Sequence, residues 1–172
     1  MIDPSTIATT LLGSAVSSSM QSRDAGALAD RDVRQDASAR LLEQLERVRT
    51  MLFHARWQRE PLLWMQTMYE VIGELDRVCP QLPRGMQHLG RSVCHAVGEA
   101  IGAPAMARTD REMWTEPLAP YDPLWNGHAV AYIDGVMDAI AQWRSTSGRR
   151  SRNFKLRDFD DWLRATGRYA PV

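Results

Sequence analysis

The segment from Leu62 to Cys79 constrains the fold of this chain more than any other part of its sequence. At about 100° per residue, its apolar side chains fall on a helical arc of roughly 200°, about twice the stripe that a surface helix needs. Because one neighbour cannot cover so wide an arc, the segment predicts a central buried helix over 62–79 that two or three other helices enclose. The arc carries Leu62, Trp64, Met65, Met68, Tyr69, Val71, Ile72, Leu75, Val78 and Cys79.

Helical spacing of apolar residues extends well beyond this segment. One helix is expected from about Asp30, with Asp30 or Asp32 as its cap, to Pro61, which cannot continue a preceding helix. Others are expected at Met86–Ile101, at Asn126–Trp143 and between Asp158 and Gly167. The sequence therefore predicts an all-α fold, a compact bundle of about five helices in a single domain over 30–172, with a separate N-terminal arm over 1–29.

Finer signals support these helices. In the first of them, apolar residues recur at spacings of four and three, which indicates one buried face of a bundle helix, since two heptads are too few for a coiled coil. Gly102 suits the left-handed position that follows many helices, and Asp158 is a suitable N-cap for the last helix. The recurring apolar residues are Leu41, Leu45, Val48, Leu52 and Ala55.

The arm contains an uncharged run of nineteen residues from Pro4 to Ser22, rich in Ser and Thr. A signal peptide begins with basic residues, but the chain has none before Arg23, and the run is too polar for a membrane span. Three interpretations stay open: a flexible or loosely helical tail, a segment that docks on a partner or peripherally on a membrane, or an uncleaved secretion address. The docking interpretation uses Ile7, Leu11, Leu12, Val16 and Met20.

Composition restricts the remaining function classes. The net charge is zero, so no overall field attracts the chain to nucleic acid or membrane, and such binding requires a local patch. Cys79 and Cys94 lie on predicted helices without a CxxC pair, which indicates reduced thiols. We therefore expect a cytoplasmic protein, or a component of a virion or secreted assembly if the arm is a docking or export segment.

One segment, Arg144 to Arg157, is strongly biased in charge, with six basic residues and no acid. It is a candidate anion or nucleic-acid patch, beside which Trp143 and Phe154 are available for stacking on bases. A flexible solvated loop or a surface for an acidic protein partner explains the same composition. The basic residues are Arg144, Arg149, Arg150, Arg152, Lys155 and Arg157.

The fourth predicted helix carries a ridge of small residues spaced by four, at Gly127, Ala131, Gly135 and Ala139. Gly costs about 1 kcal/mol relative to Ala inside a helix, so two glycines at this spacing require a reason. The ridge predicts close packing of another helix, either from this chain or from a second copy of it.

Polar residues on the third helix are the candidates for a metal site. His88, Ser92, His95 and Glu99 are expected on the face opposite the core, and His95 and Glu99 lie one turn apart. Their loose spacing fits a solvated polar face as well, and no Glu stands three residues before a His, as di-metal bundles require. We therefore expect no metal, with His88, His95 and Glu99 as the candidates if there is one.

Carboxylates supply the other candidates for chemistry. Asp134 and Asp138 share a face of the fourth helix, and could act as an acid/base pair only in a closed site. Asp76 falls within the apolar arc of the central helix, so it is predicted either to pair with an Arg or His or to lie at an exposed rim.

Proline and capping residues mark the connection before the fourth helix. Thr109 and Glu112 predict a capped short helix, and Pro117, Pro120 and Pro123 recur at the spacing of polyproline II. The spacing fits either a ligand for an aromatic groove or a stiff strut that carries Trp114, Tyr121 and Trp125, and the strut is the favoured interpretation.

Searches for phosphate-binding, zinc-protease, serine-hydrolase and CxxC motifs find none. We therefore expect a non-enzymatic helical adaptor or assembly protein that acts through protein–protein contacts or self-association, without a cofactor, in a larger bacterial or bacteriophage assembly. The alternative is a nucleic-acid-binding regulator that uses residues 144–157. A small helical enzyme with no recognisable motif is the third reading.

Overall fold

A computed structural model describes the backbone of residues 4–58, 60–103, 118–146 and 148–168. The side chains before Gly26, and those of Ala27, Asp30 and Arg149, lie outside this description. The described ranges form six α-helices and one 3₁₀ turn, Cys79–Gln81, so the all-α prediction is confirmed. The helices are α1 (Pro4–His54), α2 (Pro61–Val78), α3 (Leu89–Ile101), α4 (Pro123–Ser145), α5 (Gly148–Arg152) and α6 (Phe159–Ala165).

The chain divides into two compact units, Met1–Asp36 and Ala37–Val172. The first unit is helical from Pro4, so the expectation that a helix begins near Asp30 with Asp30 or Asp32 as its cap is wrong. Neither Pro nor any strong helix breaker stands between Pro4 and His54, and Gly at two positions does not end the helix. Crossing a bilayer takes about twenty predominantly apolar residues in one helix, and none of the described helices meets that requirement.

In the second unit, the predicted seam of α1 is confirmed. Leu41, Leu45, Val48, Leu52 and Ala55 are each at most 1% exposed. The helix gives way to a turn after His54, and Pro61 then occupies the first position of α2, where its missing N–H costs nothing.

Helix α2 is the segment expected to be the most enclosed. Trp64, Met68, Val71, Leu75 and Val78 form its buried stripe, and each large side chain there stabilises the fold by about 1.5–3 kcal/mol. The stripe is narrower than the sequence suggests. Leu62 and Leu63 are exposed, and Met65, Tyr69 and Ile72 are half-buried.

Helix α3 is the more fully enclosed helix. Ten of its thirteen residues are buried, and it packs against α2, α4 and α6. Small residues such as Gly90, Ala96 and Gly98 let these neighbours approach it from several sides, which a helix of large side chains would not allow.

The sequence predicted the C-terminal end of α3 correctly but placed its beginning three residues too early. Gly102 has a φ of 72°, and its N–H donates to Glu99 O while Ala103 N–H donates to Gly98 O, as in a Schellman motif. The helix begins at Leu89 rather than at Met86, because the residues before it form turns closed by Met86 N–H to Pro83 O and Leu89 N–H to Met86 O.

Helix α4 begins at Pro123, not at Asn126. The Asp122 carboxylate accepts hydrogen bonds from the N–H groups of Leu124 and Trp125 at 2.8 and 3.4 Å, so Asp122 is its N-cap. Pro123 is therefore the first residue of the helix and not part of a strut. Thr109, Glu112 and Pro117 lie outside the described residues. The predicted apolar face is buried at Tyr132, Ile133, Val136, Ile140 and Trp143.

Helix α6 completes the bundle. Asp158 caps it as predicted, since its carboxylate accepts from Asp161 N–H at 2.8 Å, and Gly167 follows with a φ of 67°. Phe159 and Trp162 meet Tyr132 of α4 edge to face, with ring centroids 5.1 and 5.5 Å apart. These aromatic contacts attach α6 to α4.

Candidate functional site

The basic segment is more ordered than a solvated loop. Its first part forms α5, where Ser151 is buried, and its second part is an extended stretch in which Phe154 and Leu156 pack against the core. The hydroxyl of Tyr132 donates to Arg157 O at 3.0 Å and so attaches the end of the stretch to α4.

Gly85, in the turn region before α3, holds the middle of this stretch. Gly85 and Lys155 form an isolated parallel β-bridge, and Leu156 N–H donates to Gly85 O at 2.9 Å. A Cβ atom at Gly85 would lie 2.6 Å from Phe154 O and 2.9 Å from Lys155 Cγ, so only glycine fits here without displacement. The two backbones therefore approach more closely than any side chain at residue 85 would allow.

The bridge places a further cation, Arg84, next to the basic segment. Arg84, one residue before the bridge, is exposed, as are Arg152, Lys155 and Arg157, and these four residues are here called the basic face. In the part of the chain that the structure describes, no carboxylate forms an ion pair with any of the four. The nearest acid in sequence, Asp158, uses its carboxylate to cap α6.

The other cations of the segment extend this face along the chain. Arg144, in the last turn of α4, and Arg150 of α5 are exposed. The side chain of Arg149 lies outside the described residues.

Arg84 is the residue that the sequence interpretation missed. A signal for it exists, because the sequence has no Asp or Glu between Arg77 and Gly98, just as it has none between Ala139 and Arg157. The two acid-free runs meet at the bridge, and only the fold shows that they do.

The aromatic residues expected to stack on bases do not line this face. Trp143 is only 3% exposed and belongs to the core, and Phe154 is half-buried against it. Their assignment as stacking residues is wrong, because both fill space that the bundle must occupy.

The polar residues of α3 do not form one solvated face opposite the core. Ser92 is 3% exposed and lies beside Tyr132 of α4, and Nε2 of His88 is buried. The reason is that α3 is enclosed on several sides, so its polar side faces α4 and α6 rather than water.

His95 lies between two acids. Its Nε2 is 3.6 Å from Glu99 Oε1, its Nδ1 is 3.8 Å from Asp160 Oδ1 of α6, and its ring meets Phe159 edge to face at 5.3 Å. The neighbouring Glu99 carboxylate, and then the charges of Asp160 and Asp158, raise the pKa of His95 against the opposing effect of burial. The two carboxylates contact different ring nitrogens, so this geometry does not direct all three groups at one metal ion, and no group of three or more metal-ligating side chains occurs among the described residues.

The carboxylates singled out in the sequence lie in separate places. Asp134 pairs with Arg49 of α1 at 2.7 Å, whereas Asp138 is exposed. Asp76 is exposed at the rim, which confirms one of the two alternatives predicted for it, and its Oδ1 lies near Gly90 at the start of α3. There the carboxylate is well placed to interact with the positive end of the α3 dipole.

Both cysteines are free thiols with reduced acidity. Burial, and then the negative charge of Asp76, raise the pKa of Cys94 to about 12. Burial likewise raises the pKa of half-buried Cys79. A thiol acts as a nucleophile only as its thiolate, so neither residue is an activated nucleophile.

The ridge of small residues on α4 lies beside its buried face. Gly127 is exposed, with nothing within 4 Å of a Cβ built on it, and a Cβ at Gly135 would meet only Trp162 Nε1 of α6, at 3.9 Å. Ala131 and Ala139 are half-buried. No described helix packs closely on Gly127, so packing by a second copy stays a prediction.

Large apolar side chains are exposed at one end of the bundle. Trp57, in the turn after α1, is 74% exposed, and the others stand near the end of α1, at the start of α2 and at the start of α4. Asn126 Nδ2 donates to Leu52 O at 3.1 Å and Trp64 Nε1 donates to Gln58 O at 2.8 Å, which fixes this arrangement. The end surface is defined here as Phe53, Trp57, Leu62, Leu63 and Leu124.

A polar groove of about 540 Å³ runs between α1 and α2. Its charges largely neutralise one another, since Arg47 pairs with Glu70 at 2.6 Å and Arg77 pairs with Glu74. Because these side chains are already paired and partly exposed, they would bind a charged ligand only weakly. The groove is therefore not proposed as a ligand site.

Comparisons of the chain with protein-family models, with curated proteins and with solved structures find no match. The basic face and the end surface are therefore interpreted from their own chemistry.

Proposed function

We propose that this chain is a non-enzymatic assembly protein that associates with a second copy of itself through the end surface. The observation that carries the proposal is the exposure of the five apolar side chains of that surface, above all Trp57. Among the described side chains, the other large apolar residues that are exposed, Leu28 and Val33, belong to the first unit.

The size of the end surface supports an interface. Five large side chains that are between 39% and 74% exposed present apolar area on the order of 500 Å², near the upper end for a patch on a monomer. A standard interface buries about 800 Å² on each partner, so the polar residues around the patch must also take part. Trp and Phe are the residue types that most often supply binding energy at such interfaces.

Charge around the patch favours a second copy over an unlike partner. Arg56 and Glu60, both exposed, lie on either side of Trp57 in sequence, and Arg56 also lies 5.9 Å from the centre of the Trp57 ring. In a two-fold symmetric interface, a residue of one copy can contact a sequence neighbour of the same residue in the other copy. Arg56 of one copy can therefore pair with Glu60 of the other. The zero net charge of the chain imposes no long-range repulsion between copies.

The test is sedimentation velocity or light scattering of the full chain from micromolar to millimolar concentration. We expect the wild type to dimerise and the Trp57→Ser, Leu62→Ser double variant to stay monomeric. Val33→Ser is the matched control, because Val33 is 53% exposed yet belongs to the first unit. A wild type that stays monomeric at every concentration, or a double variant that dimerises like it, would overturn the proposal.

A role for the arm is proposed separately. A chain that assembles through its second unit can use an uncharged helical segment to dock on a further partner or on a membrane surface, as in a multi-subunit bacterial or phage particle. Comparing the mass of the assembled full chain with that of residues 30–172 tests this role, and equal assembly states would argue against it.

A further inference from the structure

We propose that the basic face, Arg84, Arg152, Lys155 and Arg157, binds the phosphate backbone of double-stranded nucleic acid. The chain as a whole has no net charge, but the fold joins two acid-free runs at the Gly85–Lys155 bridge. The result is a local concentration of positive charge of the kind that attracts polyphosphates. This site shares no residue with the end surface and is tested independently of it.

The backbone beneath these cations is fixed. Leu156 N–H is bonded to Gly85 O at 2.9 Å and the Tyr132 hydroxyl to Arg157 O at 3.0 Å, and the side chains of Phe154 and Leu156 pack against the core. Because the protein has already ordered this stretch, binding a phosphate there loses less conformational entropy than binding to a free loop.

The cations are arranged in a row. Exposure alternates along the extended stretch, with Asn153, Lys155 and Arg157 exposed and Phe154 and Leu156 half-buried. Alternate residues of extended backbone lie about 7 Å apart on one side, so Lys155 and Arg157 are presented there as two neighbouring cations. Arg84 and Arg152 precede the bridge on its two parallel backbones and add two more cations, and each guanidinium can bind two phosphate oxygens at once.

Double-stranded nucleic acid is favoured over single strands because no aromatic ring among the described residues of segment 144–157 is exposed. Proteins that bind single strands stack bases on aromatic side chains, but here Trp143 is buried and Phe154 is half-buried. Contacts to phosphates alone fix position without reading sequence, so we expect binding that is independent of base sequence.

The test measures the fluorescence anisotropy of labelled duplexes of mixed sequence, one DNA and one RNA, titrated with the full chain. If four phosphates are neutralised, raising the salt from about 50 to about 200 mM should weaken binding roughly 100-fold. The triple variant Arg84→Gln, Lys155→Gln, Arg157→Gln keeps the inner part of each side chain and should lose most of this affinity and of its dependence on salt.

A second triple variant provides the matched control. Arg47→Gln, Arg77→Gln, Arg164→Gln removes the same net charge from arginines that are paired with Glu70, Glu74 and Asp161. We expect its affinity for duplexes to stay within about threefold of the wild type, since it alters none of the proposed phosphate contacts. Circular dichroism and thermal unfolding of both triple variants verify that each is folded.

Several results would overturn the proposal. Equal losses in the two triple variants would show that only net charge matters. Tighter binding of single strands than of duplexes would contradict backbone recognition, and so would wild-type binding that does not respond to salt. Displacement of the duplex by polyglutamate, or binding to anionic phospholipid vesicles without binding to duplexes, would assign the face to an acidic protein or to a membrane instead.

Discussion

The hydroxyl of Tyr132 donates to the carbonyl oxygen of Arg157 at 3.0 Å, so one buried side chain of α4 holds the end of the basic segment. Burial raises the pKa of Tyr132, which keeps the phenol protonated as a donor. The Tyr132→Phe variant removes the hydroxyl and leaves Arg157 O without it.

We expect Tyr132→Phe to lower the free energy of unfolding by about 0.5–1.5 kcal/mol, since the carbonyl oxygen of Arg157 loses its partner. Urea denaturation measures the change. Tyr121→Phe is the control, because its hydroxyl makes only a 3.5 Å contact with Asn126 Oδ1 and should cost less. Equal costs for the two variants would contradict a special role for Tyr132.

Gly85→Ala should destabilise the chain by about 1–3 kcal/mol, because the new Cβ would meet the backbone oxygen of Phe154 at 2.6 Å. Gly127→Ala is the matched comparison, since nothing lies within 4 Å of its Cβ, and it should stabilise α4 by up to about 1 kcal/mol. Both are measured by denaturation of dilute protein.

The Gly127 variant also tests the ridge of small residues. If a second copy packs on Gly127, the added methyl group should weaken self-association at high protein concentration while stabilising the dilute chain. Unchanged self-association would remove the ridge from the interface.

The pKa of His95 is raised in the folded chain, mainly by the neighbouring Glu99 carboxylate. Its stabilising contribution is therefore fully present below the unfolded pKa, about 6.5, and is lost as the pH rises through the higher folded value. We expect the stability to fall over this window in the wild type and the fall to be smaller in His95→Gln. Urea denaturation at a series of pH values measures it.

His128 serves as the comparison for His95. Burial lowers the pKa of His128, so its contribution is present above the unfolded pKa and is lost as the pH falls through the folded value. His128→Gln should change the pH profile in the opposite direction to His95→Gln. Identical changes in the two variants would contradict the assignment.

Cys94 should resist alkylation in the folded chain, because its pKa of about 12 leaves almost no thiolate near neutral pH. We expect iodoacetamide to modify it slowly in buffer and rapidly in urea, with mass spectrometry of peptides as the measurement. The Cys79→Ser variant isolates the signal of Cys94. Modification in buffer at the rate of a free thiol would show that the site is open.

Local patterns in the sequence predicted the helices well where the signal lies within a few residues. The seam at Leu41 and Leu45, the cap at Asp158 and the glycines at 102 and 167 all depend on neighbours along one helix. The beginning of α4 was misjudged for a related reason, since Pro123 suits either polyproline II or the first turn of a helix and Asp122 decides between them.

Features that depend on distant parts of the chain could not be predicted in this way. The order of the basic segment depends on Gly85, which nothing in residues 144–157 identifies, and the burial of Ser92 depends on α4 covering that side of α3. The end surface was missed because Leu62 was counted in the apolar arc of α2, although the bundle leaves it uncovered.

The enclosure of α3 by α2, α4 and α6 has a consequence for how the molecule opens. Its amide protons can reach solvent only when the surrounding helices separate, so deuterium should enter α3 at the rate of global unfolding. Exposed turns such as the one after His54 should instead exchange through small local openings. The protected centre of this protein is thus its most glycine- and alanine-rich helix, whose small residues allow three neighbours to close around it.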